Sequence, residues 1–224
     1  MNYLEPLLNQ NLRDFVQMWY GPPTSPNAAL NPSPAPRELV EWHHISTQWD
    51  GIITSQNYAI PLSEVSTRKG EVPFWVESQG SRVWAFDPTG RSHFVYERDP
   101  SSQRNPWTPT GESLSTFLIH ATAIEAIFGA PAMKVAQGID TDWIFSQAHE
   151  LPFPSWSWPT LDSRVFASEK WLALAHASDS EGKSDLMLAA TTPEHLTWVQ
   201  NTPSIKWRSY VTPQQSMAPE APPW

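Results

Sequence analysis

The sequence predicts a mixed fold of helices and antiparallel strands, a three-stranded meander followed by a long helix, with a small C-terminal β-β-α-β module. Three strand-like runs, Val72–Glu77, Arg82–Asp87 and His93–Glu97, follow one another across short Gly- and Pro-containing turns. A long apolar helix pattern comes directly after them. Hydrophobic residues make up 40% of the chain and charged residues 17%, below the roughly 25% charged of an average domain, so the bulk of the chain has enough apolar surface to fold.

In chain order, Leu8, Leu12, Phe15, Val16 and Trp19 recur at helical spacing, and Gly21-Pro22-Pro23 ends the pattern, which predicts a helix over 9–20. Residues 21–37 are dense in Pro and read as an extended loop. Short apolar pieces between Ile52 and Val65 lead to a turn at Arg68-Lys69-Gly70. In the strand run that follows, Val83, Ala85 and Asp87 face away from Trp84 and Phe86, so both sheet faces are expected to be partly covered. After a polar loop, Asp99–Gly111, the positions Leu114, Phe117, Leu118, Ala121, Ile124 and Phe128 repeat with helical period. Glu112 lies near the start of that pattern and Gly129 and Pro131 close it. Residues 131–160 read as irregular. Beyond them, Phe166–Ala177 and Asp185–Ala190 read as a hairpin, Thr192-Pro193 as the N-cap and N1 of a short helix to Gln200, and Ile205–Val211 as a last strand. Pro213–Trp224 reads as a tail without fixed structure.

Composition excludes several classes of function. Lys and Arg number 14 against 23 Asp and Glu, a formal charge of −9, which argues against a phosphate-backbone binder and favours basic partners. The absence of Cys removes disulfides, thiolate metal sites and Cys nucleophiles. The start lacks a basic and then apolar leader, and no run approaches 18 apolar residues, so a cytoplasmic protein without membrane contact is expected.

No nucleophile elbow, phosphate loop or zincin spacing is present, since His149-Glu150 runs into Leu151-Pro152-Phe153. Adjacent His43 and His44 cannot turn both rings to one metal from a helix and are read as partly exposed loop or strand residues. His120 is read as a helix-flank residue satisfied by hydrogen bonds. Most of the 13 Trp are assigned to the core. Trp42, Trp49, Trp107, Trp156 and Trp158, in loops or polar surroundings, are the ones suited to protein contact. Neither a catalytic residue nor a cofactor or metal site is expected.

Ser55–Leu62, Phe74–Gly80, Val83–Pro88 and Phe94-Val95-Tyr96, preceded by Leu12–Phe15 and followed by Trp107-Thr108-Pro109, Glu112–Ser115, Phe117-Leu118 and Glu125–Ala130, resemble the SUKH superfamily. This is the Smi/Knr-type domain in its actinobacterial form. Two stretches depart from the family pattern: Glu77-Ser78-Gln79-Gly80 stands for Glu-Asn-Gln-Gly, and Ser92-His93-Phe94-Val95 replaces a Pro-Pro-Val approach to the third strand. The resemblance implies an α+β, SUKH-like domain over 1–132, a twisted, mainly antiparallel sheet packed against helices, that serves as a binding scaffold. A Pro/Trp-rich connector then covers 133–160, the β-β-α-β module 161–212 and the tail 213–224. It further implies a non-catalytic immunity protein that neutralises a cognate polymorphic toxin by direct binding in the cytoplasm. The alternatives are an intracellular regulatory scaffold, or a carboxylate-based hydrolase or small-ligand binder. Read physically, Glu77 and Gln79 end a strand where a side-chain acceptor can close the turn. The partner-binding reading places Glu77, Gln79, Asp87 and Glu97 on an acidic patch, with Trp107 as an aromatic contact.

Overall fold

Aromatic and β-branched residues dominate the strand run that the sequence singles out, and in the computed structural model they form the middle of a sheet. The structure describes residues 2–26, 33–49, 53–67, 70–90, 92–102, 106–202 and 204–210. The fold class is α+β, with two antiparallel sheets of five and six strands. The chain divides into two compact units, one made of Pro23–Glu125 and the other joining Met1–Pro22 to Ala126–Gln215. The expected 1–132 domain runs across this division, and the expected turn at Arg68-Lys69 and the tail 213–224 lie outside the described residues.

In the Pro23–Glu125 unit, β1 (Asn57–Ala59), β2 (Val72–Glu77), β3 (Val83–Phe86), β4 (Phe94–Arg98) and β5 (Thr108–Ser113) pair in chain order. All four residues of β3 are buried, so both its faces are covered as the alternation suggests. On one face, Phe117 of α4 (Leu114–Phe128) packs against Phe74, Trp75 and Trp84 with ring centroids 5.2, 6.2 and 5.9 Å apart. Helix α3 (Arg37–Ser46) adds Trp42, edge-on to Trp75 at 5.0 Å, whose indole N–H donates to Thr122 Oγ1 at 2.9 Å.

Helix α3 corrects the placement of His43 and His44, which lie on its last turn. Its signal was the spacing of Leu39, Trp42 and Ile45, all buried. The preceding prolines hid it, although a Pro at the start of a helix costs nothing because the first N–H groups have no intrahelical partner.

In the other unit, α1 (Leu4–Leu8) and α2 (Leu12–Tyr20) stand where one helix over 9–20 is expected. Gln10, with φ 52°, breaks the chain between them, and the Asn11 side chain caps α2 by accepting from Asp14 N at 3.1 Å. The sheet has the order β11-β6-β10-β9-β8-β7, from β6 (Ala132–Asp140), β7 (His149–Glu150), β8 (Arg164–Ala167), β9 (Leu172–Ala177), β10 (Lys183–Ala190) and β11 (Arg208–Tyr210). The β9–β10 hairpin falls where it is expected.

Residues 131–160 are not irregular: they hold β6, α5 (Thr141–Gln147) and β7. Strand β6 escapes propensity because Lys134, Gln137 and Gly138 dilute it, but ladders to β10 on one side and β11 on the other fix it. The run 166–177 is also two strands, since Ser168 Oγ accepts from the N–H groups of Lys170 (3.2 Å) and Trp171 (3.1 Å) and turns the chain. A 3₁₀ helix, Pro193–Asn201, follows Thr192. The N-terminal segment joins this unit through Tyr3, whose N–H donates to Glu169 O at 3.2 Å and whose hydroxyl lies 2.8 Å from Thr191 Oγ1. No helix among the described residues is long and apolar enough to cross a membrane.

Candidate functional site

Several polar residues of the motif stretches are consumed inside the Pro23–Glu125 unit. Glu125, fully buried at the end of that unit's part of α4, accepts hydrogen bonds from the backbone N–H groups of Ser55 and of Gln56 (2.8 Å) and from the Asn57 side-chain amide. Burial pushes the Glu125 carboxyl pKa up, against the opposing pull of these N–H donors. His120 is not on the helix flank but fully buried, and its Nδ1 lies 2.9 Å from Glu112 Oε1. Glu112 therefore serves the core at the end of β5 and does not simply decorate the start of α4.

The proposed acidic patch does not assemble on one surface. Glu77 is 4% exposed. Its Oε2 accepts from Gln79 N (2.9 Å), Ser81 N (3.0 Å) and Ser81 Oγ (3.0 Å), which closes the β2–β3 turn. Gln79 is exposed at the tip of that turn and takes part through its backbone. Glu97 stands opposite Trp84 in the β3–β4 register, so the two share a face. Asp87 lies at the other end of β3, where its N–H donates to Phe94 O at 3.1 Å. By alternation it falls on the opposite face, with Val83 and Ala85. Its Oδ1 accepts from the Thr89 hydroxyl (2.6 Å) and N–H (2.7 Å), which hold the carboxyl below the usual carboxylate range. Trp107 is half-buried under the Arg98 guanidinium, 4.5 Å from the ring centroid. The other contact candidates are core residues: Trp42, Trp49, Trp156 and Trp158 are 4%, 8%, 3% and 8% exposed. Pro and polar neighbours in sequence say little about burial when the chain is folded back over its own strands.

At the β3–β4 turn the fold makes an open cleft of about 390 Å³. Val72 and Phe86, register partners at the ends of β2 and β3, supply its apolar base. Pro34, Pro36, Val65 and Pro88 wall it, Ser66 and Thr67 bring hydroxyls, and His93 is its one titratable side chain among the described residues. His93 sits in the β3–β4 turn with φ 45°, a left-handed backbone that His tolerates better than most residues. Its imidazole lies edge-on to Phe86, 5.4 Å between centroids, and its Nδ1 is 3.1 Å from Asp87 O.

Sequence reasoning did not find this site. The signal available was His93 itself, standing where the resemblance expects a Pro-Pro-Val approach. Its neighbours come from three separated stretches that only the fold gathers. Comparison with protein-family models, with curated proteins and with solved structures finds no match to this chain.

Proposed function

We propose that the chain is a non-catalytic protein-binding domain of the cytoplasm, and that its first partner class is a cationic toxin that it neutralises by direct binding. The ordered motifs over the Pro23–Glu125 unit support this reading through their resemblance to SUKH immunity proteins. The observation that carries it furthest is the cleft at the β3–β4 turn: apolar walls and one imidazole on a chain of net charge −9 suit a basic protein that brings an apolar anchor. Glu77 no longer belongs to the proposed surface, because its carboxylate is occupied within the turn.

Affinity capture with the full chain from its native cytoplasm, read by mass spectrometry, and co-expression with neighbouring open reading frames test the proposal. A captured protein whose toxicity the chain suppresses is the expected result. Asp87→Asn, which keeps the acceptor for Thr89 and removes the charge, should weaken that complex several-fold. Capture of a non-toxic regulatory protein would replace immunity by the scaffold reading. Turnover of an ester, glycoside or phosphoester would overturn both.

A further inference from the structure

We propose that the five-stranded sheet carries a second docking surface on the face turned away from α3 and α4, where Arg98 receives an Asp or Glu side chain that a partner protein presents beside an apolar residue. This surface is separate from the cleft and does not depend on the partner being a toxin.

The register sorts the side chains. Helices α3 and α4 pack on the Trp84 face, through Trp42 on Trp75 and Phe117 on Trp75 and Trp84. Arg98 stands opposite Val83 and Tyr96 opposite Ala85, so both lie on the other face, and alternation along β4 adds Phe94. Pro109 stands opposite Tyr96, and Trp107, one residue before β5, meets Arg98. The face is open along this row: Phe94 is 53% exposed, Pro109 is exposed, and Tyr96, Arg98 and Trp107 are half-buried. Tyr, Trp and Arg carry a large share of the binding energy in protein interfaces. A sheet face is also shallow, so a small acid would leave most of its surface in water, whereas a protein segment can cover the whole row.

Arg98 selects the charge of that segment. Its guanidinium lies 4.5 Å from the Trp107 ring centroid, so the ring positions the cation from one side. Its Nε is buried without a hydrogen-bond partner, and the guanidinium makes no hydrogen bond or ion pair with any described residue. The neighbouring acids do not serve it. Glu97 lies on the Trp84 face. Asp99 Oδ1 accepts from the Ser101 N–H (2.8 Å) and hydroxyl (2.6 Å), and its Oδ2 pairs with Arg82 Nη1 at 3.4 Å. Arg164 and Lys183, by contrast, each have a carboxylate of their own, Glu150 and Asp140. An unpaired guanidinium on a chain with 23 Asp and Glu is a positioned fork of donors, and a carboxylate fits it through two parallel hydrogen bonds. A phosphate fits the same fork, but its second charge finds no second cation, because Arg82 is taken by Asp99 and the net charge of −9 opposes it. The apolar neighbour follows from Phe94, Tyr96 and Pro109, whose rings share the row.

The test is an NMR titration of the full chain, following the Arg98 Nε–Hε signal. The probes are acetyl-Gly-Phe-Glu-Gly-amide, acetyl-Gly-Glu-Phe-Gly-amide and the same two peptides with Gln in place of Glu. The Arg98 signal should shift saturably with at least one Glu peptide. That peptide should bind at least about fivefold more tightly than its Gln counterpart, the upper end for an exposed ion pair, and high salt should remove the margin. Arg98→Lys, which keeps the charge and loses the fork, should lose most of it. Arg98→Met, which keeps an unbranched stem against Trp107, should bind Glu and Gln peptides equally. Its urea midpoint should hold or rise, since the cation removed has no partner within the chain. Equal affinities for Glu and Gln peptides in the wild type, or an Arg98 signal that does not move, would overturn the inference. A marked fall in the urea midpoint of Arg98→Met would also overturn it, by making Arg98 a structural residue. Inorganic phosphate that shifts Arg98 at lower concentration than either Glu peptide would overturn the carboxylate as the group recognised.

Discussion

Replacing Glu77 by Ala strips the acceptor from two backbone N–H groups and two hydroxyls in a turn that is otherwise closed by Gly80 N to Glu77 O at 2.8 Å. Donors left without partners cost about 1–3 kcal/mol, so Glu77→Ala should lower the unfolding free energy by about 2 kcal/mol in urea titrations. Glu77→Gln, which keeps one acceptor oxygen, should cost about half as much. An acid acting only on the surface would show neither loss. His43 gives the pH dependence its sign. Its Nε2 is buried with no hydrogen-bond partner among the described residues, and burial lowers its pKa from 6.5 to about 4. The unfolded chain therefore takes up the proton first as pH falls. The stability contributed by the neutral ring is present above about pH 6.5 and is lost progressively towards pH 4. Urea midpoints measured between those limits should fall more steeply for the wild type than for His43→Leu, and parallel curves would show that this ring does not set the slope.

Stacking in the six-stranded unit makes an element-scale prediction. Trp198 of the 3₁₀ helix lies between Trp171 at 5.4 Å and Trp143 of α5 at 6.0 Å, with interplanar angles of 26° and 24°. Near-parallel indoles couple their transitions, so far-UV circular dichroism should show an exciton couplet that Trp198→Phe removes and Trp107→Phe leaves. The same element shows what sequence can reveal. Pro193 announced its start because a proline at the first helical position is a local signal, although the Thr192 side chain makes no capping hydrogen bond, and β2 and α4 were legible because their apolar residues are buried along nearly their whole length. Strand β6 was not, because its ladders on both sides come from residues about fifty and seventy positions away and compensate for a weak local preference. The candidate site divides in the same way. Glu77 could be read as a turn-closing acceptor from its place after a strand, but the cleft needs Pro34, Val65 and His93 at one point, and no spacing rule connects them.

Across the whole molecule the charge of −9 acts at long range. Association with a cationic partner should slow by at least about tenfold from low to high salt, while dissociation changes little. Stopped-flow rates at several ionic strengths would check this, and an on-rate indifferent to salt would separate capture from the acidic balance. Hydrogen exchange should find its slowest amides in β3, β9 and β10, which are paired on both sides within their sheets and hold runs of buried residues. The unit that joins Met1–Pro22 to Ala126–Gln215 also orders events on the ribosome. Tyr3 is made long before the Glu169 carbonyl and Thr191 hydroxyl that it bonds. At elongation rates of about 5–20 residues per second, the wait is roughly eight to forty seconds. Throughout that interval, residues 23–125 can complete their own sheet while the first helices hold Leu7, Phe15 and Trp19 without the rest of the unit in which they are buried. Residues 23–125 can thus finish folding before residues 2–22 do, and segment 2–22 is the one of the two that a ribosome-associated chaperone would have more reason to shelter.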